Sequence, residues 1–378
     1  MGKILLIGIL VIVAVVVVLG LFRGEGPRLT DPPLSNAPYE LIGPSLPRGE
    51  RILAMAVTMA EDGDYEKAFD IAKNIGIQAV TLSQDWKDIE TAPGKYDSNP
   101  NWLAIANAYY PTKNILIALD IRPIHTNRLA VPSDLENTSL DDPVMIGRFN
   151  KMIDYVFSQI PDVQLAALYI GSEFDVYMQW VANNDPNRWK QYETFYKEVR
   201  AHIKSARPNL KVGAEATFWG LTGDNTKEHL KRLNQYSDII GVSYYHVDQN
   251  NFTVPDPKEI HPAFKEITAL YPGRPIYFHQ FGSPSSAVLN SSEAKQREFI
   301  REAFQAWDAH ASQVQLIAFT WLTDSSPEAL AYYQQYYGSS DRNFVEYLRT
   351  LGFRTYPGSG ADKESLRALQ AEAKARGW

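Results

Sequence analysis

From residue 51 onward the chain alternates short, nearly continuous apolar runs with longer stretches whose apolar positions recur every three or four residues. A short run bounded by turn residues reads as a strand buried on both faces, and the longer pattern reads as an amphipathic helix. Predicted strands cover residues 52–59, 78–83, 114–121, 164–170, 210–217, 238–245, 275–281 and 315–321. Helical patterns cover 65–75, 101–110, 143–160, 188–206, 227–236, 258–270 and 293–311, and a last helix covers 340–351. Eight strands in register with eight helices predict an α/β fold, a single (β/α)8 TIM barrel. Local punctuation agrees: Ser291-Ser292-Glu293 opens one helix with capping chemistry, while Gly76, Pro208 and Pro272-Gly273 close others. A doubly wound open sheet is the rival arrangement, and it needs a Gly-rich phosphate turn after the first strand. Ala60-Glu61-Asp62-Gly63 stands there instead, and its acidity opposes phosphate.

The first fifty residues follow neither pattern. Residues 4–22 are an uncharged, Ile-, Val- and Leu-rich run of 19, long enough to cross a bilayer core as a helix. A cleaved signal has a shorter apolar core and a small-residue cleavage site, whereas this run ends Gly20-Leu21-Phe22-Arg23. Residues 24–44 hold five Pro and read as an extended tether. The expected organisation is a transmembrane anchor over 1–23, the tether over 24–44, a barrel over 45–357 and a charged, surface-lying helix over 358–378. The barrel is expected on the extracytoplasmic side of a cell membrane.

Composition narrows the partners. The net charge is −7, from 37 basic and 44 acidic residues with no basic run, so nucleic acid is not an expected partner. Cys is absent, which removes thiol catalysis, thiolate metal sites and disulfides. No cofactor and no metal is expected: His125, His246 and His279 fall on different strands without local ligand spacing. An aromatic content of 12% suits stacking on sugar rings, although a large core also consumes aromatics.

In such barrels the working residues come from strand C-terminal ends and the loops after them. Those ends carry Asp85 and Trp86, then Asp120, Arg122 and His125, then Glu173 and Asp175. Glu215 with Phe218 and Trp219 follows, then Tyr244, Tyr245 and His246, His279 and Gln280, and finally Trp321 and Asp324. Carboxylates and aromatics around one mouth point to an oligo- or polysaccharide partner. The Tyr-rich run 332–337 either lines that mouth or packs on the last helix.

These segments resemble the clan A glycoside hydrolases, a (β/α)8 superfamily, across most of residues 51–357. VTLSQDWKDIETAPGKYD is similar to that group's W-x-x-I-E-x-x-x-G-x-Y-D stretch, and YIGSEFDVYM to the fourth-strand segment bearing the acid/base Glu. DIIGVSYYHVD is similar to the sixth strand, IAFTWLTD to the eighth, and PIYFHQFGSPSS to a seventh-strand E-x-G-x-P-S pattern. The resemblance implies Glu173 as acid/base, Tyr244 or Tyr245 beside the nucleophile, and Trp321 under the sugar. Ser172, Trp86, Trp219 and His279 are further candidates for substrate binding. Two positions depart from the pattern: Ser172 replaces an Asn, and Gln280 replaces the nucleophilic Glu. An amide cannot perform the nucleophile's work. Gln280 is therefore a decayed nucleophile in a glycan-binding or scaffold protein, or a group orienting an acetamido moiety or water, or a structural hydrogen-bonding residue. Glu215, Asp324 and Asp120 are the candidates for a displaced carboxylate.

Overall fold

Ten strands, numbered in chain order, form one sheet in the computed structural model, which describes residues 39–58, 63–96, 100–182, 185, 187–356 and 360–378. They are β1 (Ile52–Met55), β2 (Ala79–Asp85), β3 (Leu116–His125), β4 (Arg128–Leu129), β5 (Leu165–Ser172), β6 (Val212–Gly213), β7 (Glu215–Thr217), β8 (Ile240–Tyr245), β9 (Ile276–Gly282) and β10 (Val314–Phe319). The order is β6-β5-β3-β2-β1-β10-β9-β8-β7, and β4 is a short return strand antiparallel to β3. The ends of this path, β6 and β7, are separated in the chain by Ala214 alone. They are two halves of one interrupted strand, so the parallel sheet closes into the expected eight-position barrel. The expected membrane helix and residues 24–38 of the tether lie outside the described residues. Among the described residues, no helix is long and apolar enough to cross a membrane.

Strand alternation sends every second side chain inward. Toward the strands' N-terminal ends the interior holds Ala54, Ala79, Ala118, Ala167 and Ala318 around Tyr169, Tyr277 and Leu316. Small residues on most strands leave the volume that two tyrosines fill, so the barrel centre is a packed core. The opposite strand faces and the helices enclose the larger apolar layer, which includes Phe149, Phe195, Phe264, Phe278, Phe281 and Phe304.

The C-terminal helix Glu364–Arg376 is a packed element of the fold rather than a surface appendage. It buries Leu366, Leu369 and Ala373. The helix Tyr65–Ile75 ends at Gly76 with φ 100°, and a Cβ there would meet the Trp378 backbone at 2.8 Å. Glycine thus serves both the left-handed turn and the docking of the chain's end. Trp378 stacks on Trp307 with ring centroids 4.9 Å apart. Asp308 binds Arg51, just ahead of β1, and Arg376 of the last helix, each at 2.7 Å.

Both guanidiniums of this clasp are almost wholly buried. Replacing Asp308 by Ala leaves the buried Arg51 cation without a carboxylate and Arg376 with Glu372 alone, so urea unfolding should show a loss of about 3–5 kcal/mol. A loss below about 1 kcal/mol would place the clasp among solvent-screened pairs.

Candidate functional site

The C-terminal end of β5 leaves regular geometry to present its acid. Gly171 has φ 87° and Glu173 has φ 47°, a conformation that a non-glycine residue holds only when its surroundings fix it. Two hydroxyls supply that restraint: Thr126 Oγ1 donates to Glu173 Oε2 at 3.0 Å, and Ser243 Oγ donates to Oε1 at 2.5 Å. Burial, reinforced by the negative charge of Glu215, raises the Glu173 carboxyl to about 7, against the pull of these two hydrogen bonds. A carboxyl so placed holds a proton that it can give away near neutral pH.

Across the mouth, β9 carries a bulge. On β8, Val242 and Ser243 are adjacent, but their partners on β9 are Phe278 and Gln280, so His279 is the extra residue. A bulge breaks strict alternation. His279 and Gln280, consecutive in sequence, therefore both serve the interior. The Tyr245 hydroxyl donates to Gln280 Oε1 at 2.7 Å, and Gln280 Nε2 donates to Ser172 Oγ at 3.2 Å. Ser172 Oγ in turn donates to Glu215 Oε2 at 2.8 Å. Ser243 is both the register partner of Gln280 and a donor to Glu173, so the two strand ends face each other across one residue.

Beneath them lies a buried charged layer built from Asp120 on β3, Glu215 on β7 and His279 on β9, which are alternate positions of the barrel. Their ligand-type atoms lie within 4.8 Å of one another, so this layer is where a cation could be held. His279 Nδ1 stands 3.2 Å from Glu215 Oε2. Burial disfavours the Glu215 anion, yet His279, Ser172 and Gln280 outweigh it and hold that carboxyl below its usual range. Asp120, buried and opposed by Glu215 despite nearby Arg122, is pushed up to about 7. The layer thus keeps its ionised carboxylate on Glu215.

The remaining wall is half polar and half aromatic. Arg122 Nε binds Asp85 Oδ1 at 2.7 Å, and this partner with His125 overcomes burial to hold Asp85 well below the usual carboxylate range. The helix Pro327–Tyr337, capped by Ser326, crosses the mouth and contains the Tyr-rich run. Tyr336 shares a 2.6 Å hydrogen bond with His125 Nδ1, and Tyr333 lies parallel to Trp321, with centroids 5.6 Å apart and planes at 4°. Together these groups enclose a cavity of about 130 Å³ whose lining includes Asp85, Arg122, His279, Gln280, Trp321 and Tyr337.

No family model matches the sequence, and no curated protein matches it in a sequence comparison. Solved structures do match. An exo-β-1,4-mannosidase from Opitutaceae bacterium strain TAV5 superposes with TM-score 0.64 at 15% identity over 86% of this chain, which covers 59% of that protein's length. A GH5_18 protein from Streptomyces cattleya, in complex with Manβ1-4GlcNAc, gives 0.62 at 13% identity, covering 88% of this chain and 80% of that one. A β-glucosidase from Thermotoga maritima, in complex with deoxynojirimycin, gives 0.58 at 13% identity, covering 83% and 86%. The chain shares the (β/α)8 barrel fold of these glycoside hydrolases.

Within that barrel the structure brings together Glu173, Gln280, Ser172, Tyr245 and Trp321, with Glu215, His279 and Asp120 directly below. Other candidates lie elsewhere. Trp86 is fully buried, donating its ring N–H to Glu90 Oε2 at 2.8 Å and packing edge-on against Phe149. Trp219 is 45% exposed, packs edge-on to Phe218 and is not part of the cavity lining. Tyr244 faces the helices, against Phe218 and Phe281, because alternation on β8 turns only Tyr245 inward. Asp324 pairs with Lys363 Nζ at 2.6 Å, tying the segment after β10 to the start of the last helix. Thr126 and Ser243 had no separate signal in the sequence, since small hydroxyl residues at loop and strand ends are too common to single out.

Glu173 also fixes a pH dependence. An unfolded Glu releases its proton near 4.3, whereas the folded residue keeps it to about 7. Folding takes up this proton between those values, so its contribution to stability is lost as pH rises through the window. Glu173→Gln should be nearly neutral in chemical denaturation at about pH 4 and stabilising by up to about 3–4 kcal/mol at pH 8. The same effect at both pH values would show that Glu173 titrates normally.

Proposed function

We propose that this is a glycoside hydrolase-like protein that takes extracytoplasmic oligo- or polysaccharide into its barrel mouth. In this reading Glu173 hands a proton to the departing glycosidic oxygen while a water molecule bonds to the anomeric carbon and gives up a proton to solvent, and no covalent sugar–protein intermediate forms. The observation that carries it is the state of Gln280. Its amide oxygen accepts from Tyr245 and its amide nitrogen donates toward the Ser172–Glu215 pair. A neutral, doubly engaged amide is a poor nucleophile. The nearby carboxylate that its partners keep ionised, Glu215, is fully buried against His279, out of reach of a sugar carbon. Retaining hydrolysis through paired carboxylates therefore has no support at this strand end.

Binding without turnover is the second reading, favoured by the stack of Tyr333 on Trp321 at the place where a sugar ring would lie. A panel of aryl glycosides and polysaccharides separates the two. Turnover should fall about 10²–10⁴-fold in Glu173→Gln if the acid assignment holds, and an activated glycosyl fluoride should label no residue of the native protein. Saccharide binding without turnover selects the second reading, and absence of both removes each.

Gln280→Glu sets a carboxylate across Ser172 from Glu215. Like charges there should lower stability by about 1–3 kcal/mol. The same substitution restores an anionic oxygen, so covalent labelling by the fluoride should appear. Unchanged stability would show that Gln280 and Glu215 are not coupled.

The uncharged run over residues 4–22 supports an anchor that holds the barrel outside a membrane. Fractionation should then recover the intact chain with membranes, and proteolysis near residues 24–44 should release the barrel. A soluble chain lacking its first twenty or so residues would identify a cleaved signal.

A further inference from the structure

The buried layer under the mouth holds more polar atoms than it has hydrogen bonds for. Asp120, Glu215 and His279 are at most 2% exposed, and their ligand-type atoms lie within 4.8 Å of one another. Both oxygens of Asp120, Oε1 of Glu215 and both ring nitrogens of His279 lack a hydrogen-bond partner among the described residues. His279 Nδ1 lies 3.2 Å from Glu215 Oε2, a charge contact rather than a well-aligned hydrogen bond. Arg122 Nε is 4.0 Å from Asp120 Oδ2 and is committed to Asp85 at 2.7 Å. Groups at this depth ordinarily find partners, because an unpaired polar atom in a low-dielectric interior is costly.

Tyr169 adds an independent observation. It is the register partner of Asp120 on the neighbouring parallel strand, so both side chains project into the barrel. Its ring lies against His279, with centroids 4.2 Å apart. Its fully buried hydroxyl has no hydrogen-bond partner among the described residues. Burial raises this phenol, and Tyr277, Glu215 and Asp120 add to the rise, so the hydroxyl stands in the field of both acids. The neighbouring inward positions are small: a Cβ on Gly241 would meet the Tyr169 ring at 3.0 Å, and Ser83 is the register partner of Asp120. Ser83 and His279 also line the mouth cavity, which gives the layer a route from solvent. A water molecule there satisfies donors and acceptors but leaves two carboxylates of like charge side by side. A divalent cation meets both demands.

We propose that Asp120, Glu215, His279 and Tyr169 form a binding site for one divalent transition-metal ion at the floor of the barrel mouth. An imidazole with two carboxylates and a phenol suits Zn²⁺ or Mn²⁺ better than Mg²⁺ or Ca²⁺, which favour all-oxygen shells. Zn–N and Zn–O bonds of about 2.0–2.2 Å set tetrahedral ligands about 3.4 Å apart. The His279–Glu215 separation of 3.2 Å already matches that value, and side-chain rotation closes the rest. Formal charge agrees: Asp85 and Arg122 cancel, which leaves two carboxylates for a doubly charged ion. Such an ion does not touch a sugar. It fixes Glu215 and, through Ser172 and Gln280, the strand ends above. The four ligands come from four strands, so no local spacing in the sequence announces them, and the site stands independently of the saccharide reading.

Calorimetric titration of the full chain with Zn²⁺ and Mn²⁺, after EDTA treatment and dialysis, tests this. The native chain should take up one equivalent of Zn²⁺. With Zn²⁺ at about a hundred times its dissociation constant, the melting temperature should rise by about 4 °C. Asp120→Asn removes an anionic ligand at constant size and should weaken Zn²⁺ binding at least about 100-fold. Tyr169→Phe keeps the ring in place and serves as the second variant should Asp120→Asn fail to fold; it should weaken binding about tenfold. The partly exposed His202–Asp154 pair is the obvious adventitious site, and His202→Ala should leave the bound equivalent in place. Absence of saturable Zn²⁺ and Mn²⁺ binding by the native chain overturns the site. Native affinity in both Asp120→Asn and Tyr169→Phe, or loss of the equivalent in His202→Ala, overturns it as well.

Discussion

One buried negative charge, on Glu215, organises the mouth of this barrel. A carboxylate in a low-dielectric interior persists only when it is paired and hydrogen-bonded, and Glu215 receives His279 on one side and Ser172 on another. That requirement reaches upward. Ser172 spends its hydroxyl proton on Glu215 and so accepts from Gln280, which turns the amide oxygen toward Tyr245. It also reaches sideways, because the field of Glu215 helps keep the proton on Glu173 and on Asp120. An amide at position 280 is therefore matched to the anion below it. The glutamine belongs to a network and is not an isolated substitution.

The barrel itself was legible because its signal is periodic. Apolar strands and amphipathic helices repeat with spacings that survive errors of a few residues at each end, and all eight strand positions stand where that alternation placed them. The interruption at Ala214 and the bulge at His279 were not legible. Both are departures from the period-two rule that the reading relied on, and the rule assigns His279 and Gln280 to opposite faces. The same rule, applied on β8 after the pairing is known, separates Tyr245 from Tyr244. The helix Pro327–Tyr337 carries too many tyrosines to show a polar and an apolar side, so its placement over the mouth emerged only from the three-dimensional structure. Asp324 and Trp86 show the converse: a residue at a strand end can be absorbed by packing or by a distant lysine that no local spacing announces.

The aromatic helix changes what the fold presents to solvent. Trp321 faces Tyr333 instead of open water, and the polar wall of Asp85, Arg122 and His125 is tied to the same helix through Tyr336. A second aromatic layer supports this arrangement from behind, where Tyr337 packs on Phe344 and Phe344 on Tyr347. Because the rings brace one another in series, the width of the entrance depends on packing as much as on any single side chain.

The Arg51–Asp308–Arg376 clasp has a directional consequence. Residues 39–51 run along the last helix, where the Tyr39 hydroxyl meets Glu372, before the chain enters β1 at its N-terminal end. The end of this entering segment and the C-terminal end of the last helix thus lie at the closed end of the barrel, opposite the strand ends that carry Glu173 and Gln280. On the reading proposed above, a tether leaving from there would hold the domain by its base. An anchor upstream of residue 39 would turn the opening outward, away from the surface to which the chain is attached, toward whatever polymer lies beyond it.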